Sequence, residues 1–109
     1  METRLSAIEI EAFLACHPGW DYRPADGGAL HKTWRFADFH QTMAFVNAVA
    51  AIAHARDHHP DLQIGYDRCA VRWTTHDAGG VTARDAAAAA EVDALPEAAP
   101  PAPGAAARD

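Results

Sequence analysis

The side chains best suited to chemistry near neutral pH in this chain are histidines, and they are grouped. Seven histidines stand against nine lysines plus arginines. The densest group is His54-Ala55-Arg56-Asp57-His58-His59-Pro60, and a second group, Thr74-Thr75-His76-Asp77, follows it. Imidazole has an unperturbed pKa near neutrality, so it can both give and take protons at pH 7. Three readings of these residues stand side by side. They can be loop and cap residues with satisfied hydrogen bonds, which is the reading for His17, His31 and His40. They can be metal ligands, with His54 and His58 at i, i+4 on a helix and His59, His76 and Asp57 completing the set. Against this, the HExxH glutamate is missing and Arg56 would put a cation beside the ion. Or they can be acid/base catalysts working without metal on a polar heterocycle.

These side chains need elements to bring them together. Asp38 with Gln41 marks the start of a helix expected over about Phe39–Asp57, in which Phe45, Val49 and Ile52 form one stripe and Met43, Val46 and Ala50 widen it. Pro60 disfavours helical geometry at His59, so this helix ends at or just before the double histidine. Cys69–Thr75 alternates with a period of two and reads as a strand, with Cys69, Val71 and Trp73 on its core face and His76 just past its end. A helix end and a strand end that meet at one rim of a sheet would gather His58, His59 and His76 around one pocket. Gly79-Gly80 precedes the Thr82 cap. Free backbone N–H groups at a helix start can bind an anion, but no GKS or GKT follows, and a turn needing positive φ accounts for the pair.

Ser6 with Glu9 and Thr82 with Asp85 mark two further helices, over about Ala7–Cys16 and Ala83–Leu95. In the first, Ile10, Phe13 and Leu14 share a face. His31–Phe36 is a second strand, with Lys32, Trp34 and Phe36 on one side. Leu62–Tyr66 is a weaker strand, joined to the next by a turn near Asp67-Arg68, and Trp20–Arg23 is a short edge strand. The order α-β-β-α-β-β-α makes this an α+β fold, a four-stranded antiparallel sheet with the helices packed on one face. Residues 1–95 form the domain. The remainder, 96–109, is nearly all Pro, Ala and Gly and is expected to be disordered.

Composition removes several classes of function. The chain has 109 residues, half of them apolar, and a net charge of −6 with histidine neutral. An acidic balance argues against a nucleic-acid partner. No apolar run approaches the ~20 residues of a membrane span, and the N-terminus lacks the layout of a signal peptide. Cys16 and Cys69 are too few for a disulfide framework and read as buried, reduced thiols, which fits a cytoplasmic protein.

The stretch HHPDLQIGYDRCAVRWTTHDAGGVTARD resembles the pterin-4a-carbinolamine dehydratase family in its bacterial form. The resemblance lies in His58-His59-Pro60, the aromatic Tyr66, Thr75-His76 and Asp85 near the next helix start, with Gly19-Trp20 and Phe36-x-x-Phe39 upstream. His54 stands where the family usually carries Glu. What the resemblance implies is a hydro-lyase acting on 4a-hydroxytetrahydropterin, the species left when an aromatic amino acid hydroxylase has used its cofactor, to give quinonoid dihydropterin. It implies no metal and no cofactor, the pterin being the substrate. His58, His59 and His76 are the implied catalytic residues. His58 and His76 would move the protons, while His59, Asp57, His54 and Thr75 would hold the substrate. Homodimers or homotetramers are implied as well. Relatives also act as a dimerisation cofactor for a homeodomain transcription factor or as assembly factors for a carboxylating enzyme, so a non-enzymatic protein-binding role is the alternative. A pure scaffold would be free to lose the three histidines, and this chain keeps them.

Overall fold

Each helix begins where a side chain caps it. The computed structural model describes residues 3–95; the Pro/Ala-rich stretch 96–109 lies outside the described residues. Helix α1 (Ala7–Cys16) opens on a reciprocal capping box, Glu9 N–H to Ser6 Oγ at 3.1 Å and Ser6 N–H to Glu9 Oε1 at 2.8 Å. Strands β1 (Asp21–Arg23) and β2 (Ala29–Arg35) follow, then helix α2 (Phe39–Arg56). Strands β3 (Asp61–Ile64) and β4 (Arg68–Trp73) lead into helix α3 (Ala83–Asp93). The four strands form one antiparallel sheet in the order β1-β2-β4-β3. The expected α+β architecture and element order are therefore present.

The two central strands carry the core. Register pairs Leu30 with Trp73 and Trp34 with Cys69, and these side chains are buried with Phe36 and Val71. Phe45, Val46, Val49, Ile52 and Ala53 of α2 and Ala88, Ala89 and Val92 of α3 close the same cluster. α1 adds Ile10, Phe13 and Leu14 at its margin, with Phe13 edge-on to Trp20. Lys32 lies on the core face, as the alternation predicts. It is accommodated because its Nζ sits 4.8 Å from the Trp34 ring centroid and 2.9 Å from Asp93 Oδ1. Asp93 Oδ2 in turn accepts from the Trp20 indole N–H at 3.0 Å. This network ties the end of α3 to β2 and to the segment before β1.

Several expectations need correction. Ala50 is exposed and Ala53 takes its place in the α2 stripe. The β3–β4 turn falls at Gly65–Asp67, closed by Gly65 N–H to Arg68 O at 2.9 Å. At Asp38 the carboxylate accepts from the Gln41 N–H, but the reciprocal bond is absent. Cys69 is buried, and burial raises its thiol pKa to about 11, whereas Cys16 is exposed because it lies on the outer side of α1. No helix among the described residues is long and apolar enough to cross a membrane.

Candidate active site

The site is built where α2 stops. Asp57 adopts left-handed geometry (φ 51°, ψ 44°), Asp57 N–H reaches His54 O at 3.2 Å, and His58 N–H reaches back to Ala53 O at 3.1 Å. This is a Schellman closure with aspartate in the position that glycine usually fills. It turns the chain sharply, so His58 folds under the sheet's end while His59 projects outward. Pro60 then starts the run into β3.

His58 is buried, and two neighbours fix its ring. One face stacks on Trp73, with centroids 5.5 Å apart and planes within 20°. Its Nε2 lies 2.6 Å from Asp85 Oδ1. Asp85 is fully buried, and its other oxygen accepts from the Thr75 hydroxyl at 2.7 Å and the Thr82 N–H at 2.9 Å. Thr75 and Thr82 are themselves joined, Oγ1 to Oγ1, at 2.9 Å. With Oδ2 saturated by donors, Oδ1 is left to accept, so Nε2 of His58 carries a proton. The free ring nitrogen is then Nδ1. It is a base when the imidazole is neutral and an acid when it is charged. The arrangement matches the general pattern in which a buried carboxylate fixes the tautomer of a working histidine.

Around this ring lies a concavity of about 280 Å³, lined by Asp57, His58, His59, Thr74, Thr75, His76, Asp77 and Arg84. Its size is near the lower end for small-molecule sites. His59 and His76 are exposed side chains on its rim. His76 begins the 3-10 turn His76–Ala78, which follows β4 and ends on Gly79 at φ 76°, the positive angle expected of that glycine. Thr74 is buried beneath the rim, donating to Gly28 O at 2.7 Å. Arg84, in the first turn of α3, donates from Nη2 to Asp57 O at 2.9 Å.

The structure thus brings His58, His59, His76, Asp57 and Thr75 to one cleft. Thr75 lines it, but its hydroxyl is committed to Asp85. His54 is exposed on the last turn of α2 and is not among the lining residues. Tyr66 is 64% exposed in the β3–β4 turn, at the other end of β4 from His76. Trp73, read as core, is fully buried and serves as the floor under His58. Asp85, read as a helix partner of Thr82, has that role and also holds His58. No local spacing signals the second role, which depends on the packing of α3 against the end of α2. No cluster of three or more His, Cys, Asp or Glu side chains among the described residues has an arrangement that could hold a metal ion.

The four-stranded α+β fold thus places a carboxylate-held histidine at the meeting point of two helix ends and a strand end. Residues 3–95 match the family model for pterin 4 alpha carbinolamine dehydratase, and the chain belongs to that family. A relative from Paracidovorax citrulli, provisionally named a pterin-4-alpha-carbinolamine dehydratase, is 52% identical over 93 residues, covering 84% of this chain and 79% of the relative. One of the same provisional name from Stenotrophomonas maltophilia is 48% identical over 95 residues, 86% of this chain and 80% of that one. A transcriptional coactivator/pterin dehydratase from Brucella melitensis superposes with a TM-score of 0.79 at 30% identity, covering 84% of this chain and 97% of that structure. A pterin dehydratase-like protein identified as a RuBisCO assembly factor in the alpha-carboxysome superposes at 0.62 and 27% identity, covering 78% and 95%.

Proposed function

We propose that this chain dehydrates 4a-hydroxytetrahydropterin to quinonoid dihydropterin in the cytoplasm, by histidine acid/base catalysis without a metal or cofactor. The observation that carries the reading is the His58–Asp85 pair in a cleft that also presents His59 and His76. In this reaction the C4a–O bond breaks, the hydroxyl takes a proton and leaves as water, and the N5 proton departs as its electron pair completes the C=N bond. Nothing is oxidised or reduced. Hydroxide is a poor leaving group, so an imidazolium donor assists its departure, and a neutral imidazole accepts the N5 proton. His58 and His76 take these two tasks. His59 and Asp57 contact the ring system, and Thr75 acts through Asp85. Such proton transfers contribute about 10²–10⁴-fold. The substrate is supplied by an aromatic amino acid hydroxylase, and the protein works as a homodimer or homotetramer.

The test is a stopped absorbance assay. A phenylalanine hydroxylase generates the 4a-hydroxytetrahydropterin, and its decay is followed with and without this protein in the presence of a chelator. Acceleration that survives chelation and disappears in His76→Ala is the expected result. No acceleration across several pterins, from folded protein, would overturn the reading. The second reading is a protein-binding role on the same fold, favoured by the coactivator and assembly-factor names of the two structural neighbours. It predicts unaltered partner binding after His58→Ala and His76→Ala.

A further inference from the structure

We infer that Arg84 is a positioning residue for the histidine pair, acting through the peptide that precedes His58. The inference rests on the dehydratase reading of the cleft for its catalytic half only. Arg84 stands in the first turn of α3, where the positive end of the helix dipole disfavours a cation. Local preference therefore does not account for it. Its one side-chain hydrogen bond among the described residues is from Nη2 to Asp57 O, at 2.9 Å.

That carbonyl belongs to the Asp57–His58 peptide, whose N–H is held by Ala53 O at 3.1 Å. The peptide plane is thus fixed at both ends. One end is tied to α2 and the other to α3. Asp57 is in left-handed geometry that a non-glycine residue seldom adopts, so the turn benefits from an outside tie. The next residue along α3, Asp85, holds the His58 ring at 2.6 Å. Consecutive residues of α3 therefore grip consecutive residues of the turn, Arg84 the backbone and Asp85 the imidazole. His59 has no side-chain partner among the described residues. Its direction is inherited from the backbone that Arg84 holds.

The experiment compares Arg84→Met and Arg84→Lys with the wild type in two measurements. Amide hydrogen exchange reads the turn without substrate. Arg84→Met is expected to speed exchange at His58 about tenfold while the core amides of Val49 and Val71 keep their protection. Steady-state kinetics read the consequence. In Arg84→Met, kcat falls about tenfold with KM changed less than about twofold, because the catalytic groups are displaced rather than the ligand released. Arg84→Lys keeps a donor for the carbonyl and recovers most of kcat. Unchanged His58 exchange together with wild-type kcat in Arg84→Met would overturn the inference. So would a KM rise in both variants that accounts for the whole loss, since the guanidinium would then bind substrate directly. Were the wild type to lack dehydratase activity, the dehydratase reading would fall, and the exchange result alone would decide whether Arg84 holds the turn.

Discussion

His58 Nε2 and Asp85 Oδ1 lie 2.6 Å apart, and both side chains are buried. Asp85 also completes the cap of α3, so one carboxylate starts a helix and selects the tautomer of a histidine. Asp85→Asn keeps the shape but offers an amide whose N–H can face a ring N–H. Activity is expected to drop by about 10²-fold or more, because His58 no longer presents Nδ1 as its free nitrogen. Stability is expected to fall by about 2–3 kcal/mol, within the range for breaking a buried polar pair on one side. Pterin turnover and urea unfolding measure the two effects. A wild-type kcat in the folded variant would detach His58 from the chemistry.

The glycine loops set the position of His76. Gly27 has φ +92°, and a Cβ placed there would lie 2.5 Å from Gly79 O, in the turn that carries His76. The obstacle is backbone on both sides, so it cannot rotate away. Gly27→Ala should cost more than about 1 kcal/mol and lower kcat by displacing His76. Gly79 has open space around its own Cβ position, and strain there comes from φ alone. Gly79→Asn, which tolerates left-handed geometry, is expected to be the milder change. Equal losses in the two variants would refute the steric account.

Lys32 holds three segments at once. Its ammonium sits over Trp34, pairs with Asp93 at 2.9 Å and donates to Pro18 O at 3.1 Å. Lys32→Ala removes all three interactions and leaves Asp93 with the Trp20 indole alone. A loss of about 2 kcal/mol is expected, lowering Tm by about 10 °C. The α3 terminus lies at the other end of its helix from the cleft, so kcat at 25 °C should change little. A large kcat loss with unchanged Tm would contradict this division.

His31 predicts a pH effect. It is half-buried on the face of the sheet away from the core, and burial, then Arg23, hold its pKa below the ordinary 6.5. The unfolded chain therefore binds this proton more readily than the folded one. The folded state is at no disadvantage above about pH 6.5, and it loses stability as pH falls from there through the lowered pKa. His31→Asn should reduce the difference between urea midpoints at pH 7.5 and pH 5. An identical difference in both proteins would show that other groups set the acid sensitivity.

The fold was legible because its cues are local. Three capping pairs, the alternation of Cys69, Val71 and Trp73, and Pro60 after the double histidine each act within a few residues of chain. The gathering of His58, His59 and His76 could be read because an element end fixes each one. The partners of His58 could not be read this way. Asp85 and Arg84 reach the turn through tertiary packing of α3 on α2, and no spacing in the chain encodes which helix faces which turn. His54 shows the converse: its i, i+4 spacing to His58 pointed to a shared face, but α2 ends at Arg56 and the left-handed turn at Asp57 swings His58 away from it.

The sheet order β1-β2-β4-β3 places the two longest strands side by side, although all of α2 and β3 lies between them in the chain. β2 cannot complete its central ladder until that intervening stretch has been synthesised and folded back. Closing that loop costs entropy before any ladder bond compensates for it, so the β2–β4 pairing is expected to form later than the local β1–β2 and β3–β4 pairs. The cleft depends on that closure, since Thr75 and His76 follow directly after β4 and Asp85 arrives on α3. During refolding, the fluorescence change of the buried tryptophans Trp34 and Trp73 and the return of turnover should therefore follow the same time course, with no interval in which a half-built chain is active.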